Sequence, residues 1–376
     1  MQVGNYEIQL EKRIDMSPQR AAGISVLAVL FALVLFGGVF LLDNVSPLRG
    51  YWEIFSYGFL NPRGLVPTFS RFIFLLLCTI AFILPFRAGL WNIGMTGQLY
   101  MGSLGAFGVV LAFGGRIPGT TEMSPWIFIP LMMVAAALAG GIWGGIAGFL
   151  KGKWEVNEIV VTMIMNFIAF WLVSEFIKEG GALMNPGGRG ESFQLPQSLQ
   201  PPVFMGMPFT VLIALLLAVL AYVLLTRTQL GFQIRAFGSN PSAARYAGIS
   251  PLKISLLVFV LGGAVAGLAG YHIFGAAPGV YKIARNYGDF GNLAFYGIIC
   301  GLIALGSPLA SIPVALLFGG LSNGGRYAQG KLHLRFGVDL AMLGVLMIVL
   351  VGFQFFYQYR ITINKREREL DVGIPD

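Results

Sequence analysis

Ten apolar blocks, most of them long enough to cross a bilayer, follow one another along this chain with short polar joints between them. A crossing helix needs about 20 mainly apolar residues. The blocks run roughly over 21–42, 68–86, 98–114, 126–150, 158–176, 208–226, 253–275, 290–306, 308–325 and 337–357. Only 11% of the 376 residues are charged and 56% are hydrophobic, whereas a soluble domain carries about 25% charged residues. The pattern excludes a large extramembrane catalytic domain, a disordered chain and a DNA-binding module. It predicts an all-α polytopic membrane protein of about ten transmembrane helices. The first block is too long for a signal-peptide core and lacks a small-residue cleavage site, so it reads as an uncleaved first span.

The net charge of +8 fits basic cytoplasmic loops facing anionic lipid rather than a nucleic-acid partner. Ten spans put both termini on one side. With the N-terminus inside, 14 basic residues fall in inner segments and 11 elsewhere. Residues 227–253 hold four basic residues and no acid, and the tail after 358 holds four more, which places both clusters in the cytoplasm. The expected layout is a cytoplasmic segment 1–20, a membrane domain 21–357 and a cytoplasmic tail 358–376. Within the membrane domain, 227–252 is an inner loop and 177–207 an outer one. The outer loop, GGALMNPGGRGESFQLPQSLQPP at its centre, is either a linker or a docking surface, and its length favours an ordered role. Cys78 and Cys300 lie inside apolar blocks, and His272 and His333 form no metal pattern.

Where charge is missing is informative. An ion-coupled carrier keeps an ionisable group at mid-membrane depth to bind its coupling ion. Here Arg71, Glu175 and Asp339 all fall near block ends. The chain therefore lacks an ion-driven engine of its own: its energy comes from elsewhere, or it is a passive channel. Uncharged polarity is concentrated in FRAGLWNIGMTGQ, 86–98, between the second and third blocks. Trp91 beside Asn92, with Gln98 two turns on, can stack on and hydrogen-bond a neutral ring solute; the alternative is a cytoplasmic turn with an interfacial Trp. A second stretch, NEIVVTMIMNFIA, opens with Asn157 as an N-cap and Glu158 at the positive helix end. Thr162 and Asn166, four residues apart, share one face. That face either lines a pathway or joins helices through hydrogen bonds.

The inner loop carries its own structural signal. In GFQIRAFGSNPSAARYAGI, 231–249, Asn240 is a good N-cap, Pro241 suits the first helical position and Gly248 is a natural stop. A helix of about two turns is specified. Its small face (Ala243, Ala244, Ala247) and basic rim (Arg235, Arg245) suit insertion into a groove on a partner protein.

These motifs together resemble the permease subunits of ATP-binding cassette importers, in the simple-sugar and nucleoside branch. The loop matches that branch's G-x-x-x-R-A-x-G-x-N-x-x-A-A-x-x-A-G-I form, and FRAGLWNIGMTGQ resembles its F-R-x-G-x-x-N-I-G-x-x-G-Q signature. NEIVVTMIMNFIA and GIICGLIALGSPLASIPVALLFGG are similar to two further segments of the branch, so the likeness runs in order over roughly 65–358. The resemblance implies two inverted-topology halves, the second-to-fifth and seventh-to-tenth spans, and two permeases paired around the pathway. It implies a multi-pass protein of a prokaryotic cytoplasmic membrane that does no chemistry and holds no cofactor. ATP is bound by a partner ATPase subunit, on which the short helix docks through Asn240, Ala243, Ala244 and Gly248, with Arg235 and Arg245 beside them. An extracytoplasmic solute-binding lipoprotein delivers the solute. The loop NPGGRGESFQLPQS and the N-terminal extension look like the longer permease of nucleoside systems, which implies a heterodimer with a shorter paralogue. Two departures stand out. The acid of the older E-A-A version of the loop is absent, and Met95 and Thr96 replace the Ala and Glu of many relatives.

Two other readings compete. A self-contained carrier or channel is opposed by the missing central carboxylates and by the structured inner loop. A membrane-embedded enzyme would need a His/Asp cluster, a Ser–Lys pair or a metal pattern near one face, and nothing in the sequence matches a phosphate-binding G-x-x-x-x-G-K-[ST] loop.

Overall fold

The computed structural model describes the backbone of residues 2–3, 6–12, 18–115, 124–204, 207–335 and 337–365. Side chains are described over 23–24, 26–115, 124–204, 207–335, 337, 340–353 and 355. Arg13, Arg366 and Arg368, counted above on the inner side, lie outside the described residues, as does the end of the tail. The chain divides into two units, 1–47 with 341–376 and 48–340.

The smaller unit begins with strands β1 (Gln2–Val3) and β2 (Tyr6–Lys12) and helix α1 (Pro18–Leu42). Along α1, Ala28, Ala32, Phe36 and Phe40 are buried at four-residue spacing, one helical face. In the larger unit, α2 (Pro47–Phe55) and a π turn lead into α3 (Pro62–Phe86), α4 (Met95–Ala112), α5 (Pro125–Trp154) and α6 (Glu158–Ile177). The hairpin β3 (Val203–Phe204) and β4 (Met207–Pro208) precedes α7 (Thr210–Arg227), α8 (Gln229–Ser239), α9 (Pro241–Tyr246) and α10 (Pro251–Tyr271). Then come a π turn (His272–Ala276), α11 (Gly288–Ile303) and α12 (Ser311–Lys331). The smaller unit resumes with most of α13 (Val338–Gln358) and with β5 (Tyr359–Lys365).

Each of the ten apolar blocks coincides with a helix: α1, α3 to α7 and α10 to α13. Among the described residues, six helices are by themselves long and apolar enough to cross a membrane: α3 to α7, and α10 with its π turn. Two of the other helices fall short for local reasons: α11 has 16 residues, and α12 carries Ser322, Asn323, Arg326 and Gln329 along its second half.

The helix ends follow the residues that begin them. Asn61 accepts a hydrogen bond from the Arg63 amide before Pro62 at the start of α3. Asn157 caps α6 and Ser250 caps α10 in the same way. The charged pairs sort to two ends of the larger unit. Arg245 with Glu155 and Lys151 with Glu158 (2.9 Å) sit at one end. Lys282 with Glu191 (2.8 Å) and Lys331 with Glu53 (2.8 Å) belong to segments at the opposite helix ends. In the connection after α6, Leu183, Phe193, Leu195 and Leu199 are buried, and Ser192 and Leu195 bond the backbone of 281–283.

Packing inside the larger unit is crossed. Helix α3 packs on α11 and α12, while α10 packs on α4 and α5. Exchanging the two halves of the chain maps the first set of pairs onto the second, the relation expected of two repeats. The α5–α10 seam is made of small residues, which let helix backbones meet. A Cβ on Gly263 would stand 2.3 Å from the Gly140 carbonyl oxygen, and one on Gly267 would stand 2.1 Å from that of Ala136. Gly263→Val is therefore expected to overpack the seam, lowering stability by about 1–3 kcal/mol or more. Gly108→Ala, whose Cβ meets nothing within 4 Å, should be neutral or slightly stabilising. Thermal unfolding of the solubilised protein checks both.

Candidate functional site

The segment 87–94 is a compact turn between α3 and α4. Gly89 turns the chain at φ +73°, a conformation that glycine adopts without a Cβ penalty. Trp91 is partly exposed and stands edge-on to Phe82 and Phe86, with ring centroids 5.7 and 5.9 Å away. Asn92 and Gln98 are buried and paired face to face: each amide nitrogen donates to the other's oxygen at 3.0 Å. The Asn92 oxygen also accepts from the Gly94 amide. From α6, Asn166 donates to the Ile93 carbonyl at 2.9 Å and accepts from the Gly97 amide at 2.7 Å. The Thr162 hydroxyl donates back to the Glu158 carbonyl, and its methyl face lies against Gly94.

The structure thus brings Asn92, Gln98, Thr162 and Asn166 together, as hydrogen-bonded supports of one turn. Their oxygens are engaged within the chain. Trp91 sits apart at the rim, near the helix ends. A neighbour that sequence reasoning missed is Trp143 of α5: its Nε1 is buried without a hydrogen-bond partner. A Cβ on Gly97 would lie 3.0 Å from that nitrogen and 3.1 Å from the Asn166 oxygen. No sequence spacing links 143 to 166; only packing does. Thr96, at a position of departure from the resembled pattern, donates to the Gly291 carbonyl at 3.1 Å.

The inner-loop helix is built as its residues dictate. The Asn240 side chain accepts from the Ala243 amide at 3.0 Å, Pro241 opens α9, and Gly248 at φ +83° ends it. The Ile249 amide returns to the Ala244 carbonyl and the Gly248 amide to that of Arg245, a Schellman-like finish. One expectation needs correction. Ala244 is 4% exposed and faces its own chain, because a helix this short must turn one residue per turn inward, and the smallest fits. The outward surface is Ala243, Ala247, Gly248 and Tyr246, which is 95% exposed. Tyr246 was not singled out from sequence, since an aromatic in a polar loop has no periodic signature. The basic rim also divides. Arg245 is held by Glu155 on the α5–α6 turn, and that hydrogen bond holds the Glu155 carboxyl below its ordinary pKa. Arg235, half-buried on α8, lies near enough to Arg87 for its charge to act on it.

His272 is fully buried at the end of α10, where its Nε2 donates to the Ser70 carbonyl at 2.9 Å and its Nδ1 accepts from Thr210 at 2.7 Å. It ties α3, α7 and α10 together.

An all-α core of apolar spans, with a capped helix tied to the α5–α6 turn, is the build of a multi-pass membrane subunit. Residues 64–351 match the family model described as branched-chain amino acid transport system / permease component, and the chain belongs to that family. It is similar to a glucose ABC transporter permease of Haloferax volcanii, 32% identical over 98% of this chain and 97% of the relative. A guanosine ABC transporter permease of Bacillus subtilis is 27% identical over 92% and 97%, respectively. A nucleoside ABC transporter permease of Lactococcus lactis is 26% identical over 80% and 83%. No solved structure matches the chain. The protein is a multi-pass permease subunit of an ABC importer in a prokaryotic inner membrane; it is not an enzyme, and it works with a separate ATPase and a solute-binding protein.

Asn92→Ala leaves the Gln98 amide buried without its partner, and such a loss costs about 1–3 kcal/mol. The variant is expected to unfold at lower temperature than Trp91→Ala, whose ring is at the rim. Thermal unfolding of the two purified variants measures the difference.

Proposed function

We propose that this chain is the membrane gate of an importer for a neutral, ring-bearing solute, a nucleoside or a simple sugar, and that α9 is the element through which the ATPase moves it. The observation that carries this reading is the α9 geometry: a fully capped helix, outward-facing through Tyr246, and joined to the α5–α6 turn by Arg245 and Glu155. ATP is held by the ATPase, and this chain needs no cofactor. Asn240 and Gly248 shape α9, Ala244 seats it, and Ala243, Tyr246 and Ala247 meet the partner.

Trp91, Asn92, Gln98, Thr162 and Asn166 form the inner wall of the pathway, with the amides holding the turn and Trp91 facing the solute. The relatives named for guanosine and nucleosides favour a nucleoside, and the relative named for glucose supports a sugar as the second reading. The partner permease is a shorter paralogue, and the solute-binding protein is a lipoprotein. Both termini are cytoplasmic in this reading; the antiparallel pairing of β2 with β5 supports their lying on one side, and the basic clusters at 227–253 and after 358 favour the inner one.

Reconstituted with its ATPase, second permease and binding protein, the complex should take up labelled guanosine, with excess unlabelled nucleoside competing and glucose not. Competition by glucose alone would move the assignment to a sugar. Tyr246→Asp should lower ATP-driven uptake at least tenfold, since buried aromatics dominate interfaces; unchanged uptake would remove α9 from the coupling role.

A further inference from the structure

Two arginines stand at the α9 end of the larger unit: Arg235, which the resemblance sets beside the docking helix, and Arg87, to which it gives no role. Arg87 follows the last residue of α3, and Arg235 lies on α8. The end of α8 meets the turn after α3 closely: a Cβ on Gly238 would stand 2.4 Å from the Arg87 carbonyl oxygen. On another side, a Cβ on Gly306 would stand 3.1 Å from Arg87 Cδ. Three turns, after α3, at the end of α8 and after α11, therefore converge on Arg87, with Arg235 beside it.

Arg87 Nε and Arg235 Nη1 are both buried, and neither has a hydrogen-bond partner. Among the described residues neither guanidinium is in an ion pair, and the nearby acids Glu155 and Glu158 are taken by Arg245 and Lys151. Burial, and secondly the Arg235 charge, lower the pKa of Arg87. Two like charges with unpaired buried donors are unfavourable unless an anion joins them. A carboxylate suits the place, because guanidinium forks bind planar oxygen pairs and are themselves weakly hydrated. Arg235 precedes α9 by one short turn of chain, so the pair adjoins the surface that meets the ATPase.

We propose that Arg87 and Arg235 form a receptor for one acidic side chain of the ATPase subunit, seated beside α9. The proposal rests on the reading of α9 as the ATPase contact. On a free importer the two guanidiniums repel, and the incoming carboxylate relieves that repulsion, so docking is favoured by charge as well as by shape.

The test uses the assembled importer in lipid nanodiscs. Arg87→Gln and Arg235→Gln should each weaken ATPase association by about tenfold or more, and the salt sensitivity of association should fall. Wild-type affinity in both would overturn the proposal. To guard against a folding defect, Arg235→Lys is treated with a carbodiimide, which joins an amine to a carboxylate without a spacer. An amide bond to an Asp or Glu of the ATPase, found by mass spectrometry, supports the site; its absence in an otherwise assembled complex opposes it. Inorganic phosphate should not raise the unfolding temperature of the isolated permease. A rise that Arg235→Gln abolishes would make this a free-anion site and overturn the ATPase assignment. Tyr246→Asp separates the two claims. If it releases the ATPase while the Gln variants bind normally, only the arginine receptor fails; if it too binds normally, the reading of α9 fails.

Discussion

The seam between α5 and α10 is where the larger unit is held, and it is a contact between backbones rather than between side chains. Gly140, Gly144 and Gly148 on one helix face Gly263, Gly267, Phe259 and Ser255 on the other. In a membrane there is no hydrophobic gain from bringing two apolar helices together, so close van der Waals approach and internal hydrogen bonds decide which pairs form. A glycine seam satisfies the first demand. The polar clusters satisfy the second: His272 between Ser70 and Thr210, and Asn323 on the Gly64 carbonyl and the Thr68 hydroxyl. A seam of this kind leaves little room for partial adjustment, and α5 and α10 are therefore expected to move as one body.

That rigidity gives the α9 helix its leverage. Arg245 fastens α9 to Glu155 at the foot of α5, and Ser250 begins α10 directly after the Gly248 stop. A push on the exposed face of α9 thus reaches both helices of the seam at once. The 87–94 turn lies beside them, held by the Asn92–Gln98 pair and by Asn166. Among the described residues of the larger unit the acids lie in turns or near helix ends, while Arg71 of α3 and Arg326 of α12 stand within spans. Mechanical input from a separate subunit fits this construction.

Much of this could be read from residues alone, and what could not has a common cause. Asn240, Pro241 and Gly248 announce α9 because capping is local, and the ten apolar blocks announce the helices because burial in lipid needs length. The inward turn of Ala244 depends on how α8 and α9 rest on the rest of the chain, which no short window contains. Asn92 and Gln98 looked like free hydrogen-bonding groups until the turn between them placed each opposite the other. The nearness of Trp143 to Asn166, and of Arg87 to Arg235, is purely tertiary. The strands β2 and β5 were overlooked for a related reason. The alternation of Tyr6, Ile8 and Leu10, and of Ile361 and Ile363, has the period of a strand, but the partners lie at opposite ends of the chain.

The central claim is that this subunit is a gate without a motor. The direct measurement is uphill uptake into liposomes, with the solute-binding protein and ATP supplied, comparing the two permeases alone with the same pair joined to the ATPase. Accumulation above the outside concentration is expected only when the ATPase is present, and should stop when ATP is replaced by a non-hydrolysable analogue. Accumulation by the permeases alone, with or without an ion gradient, would contradict the account.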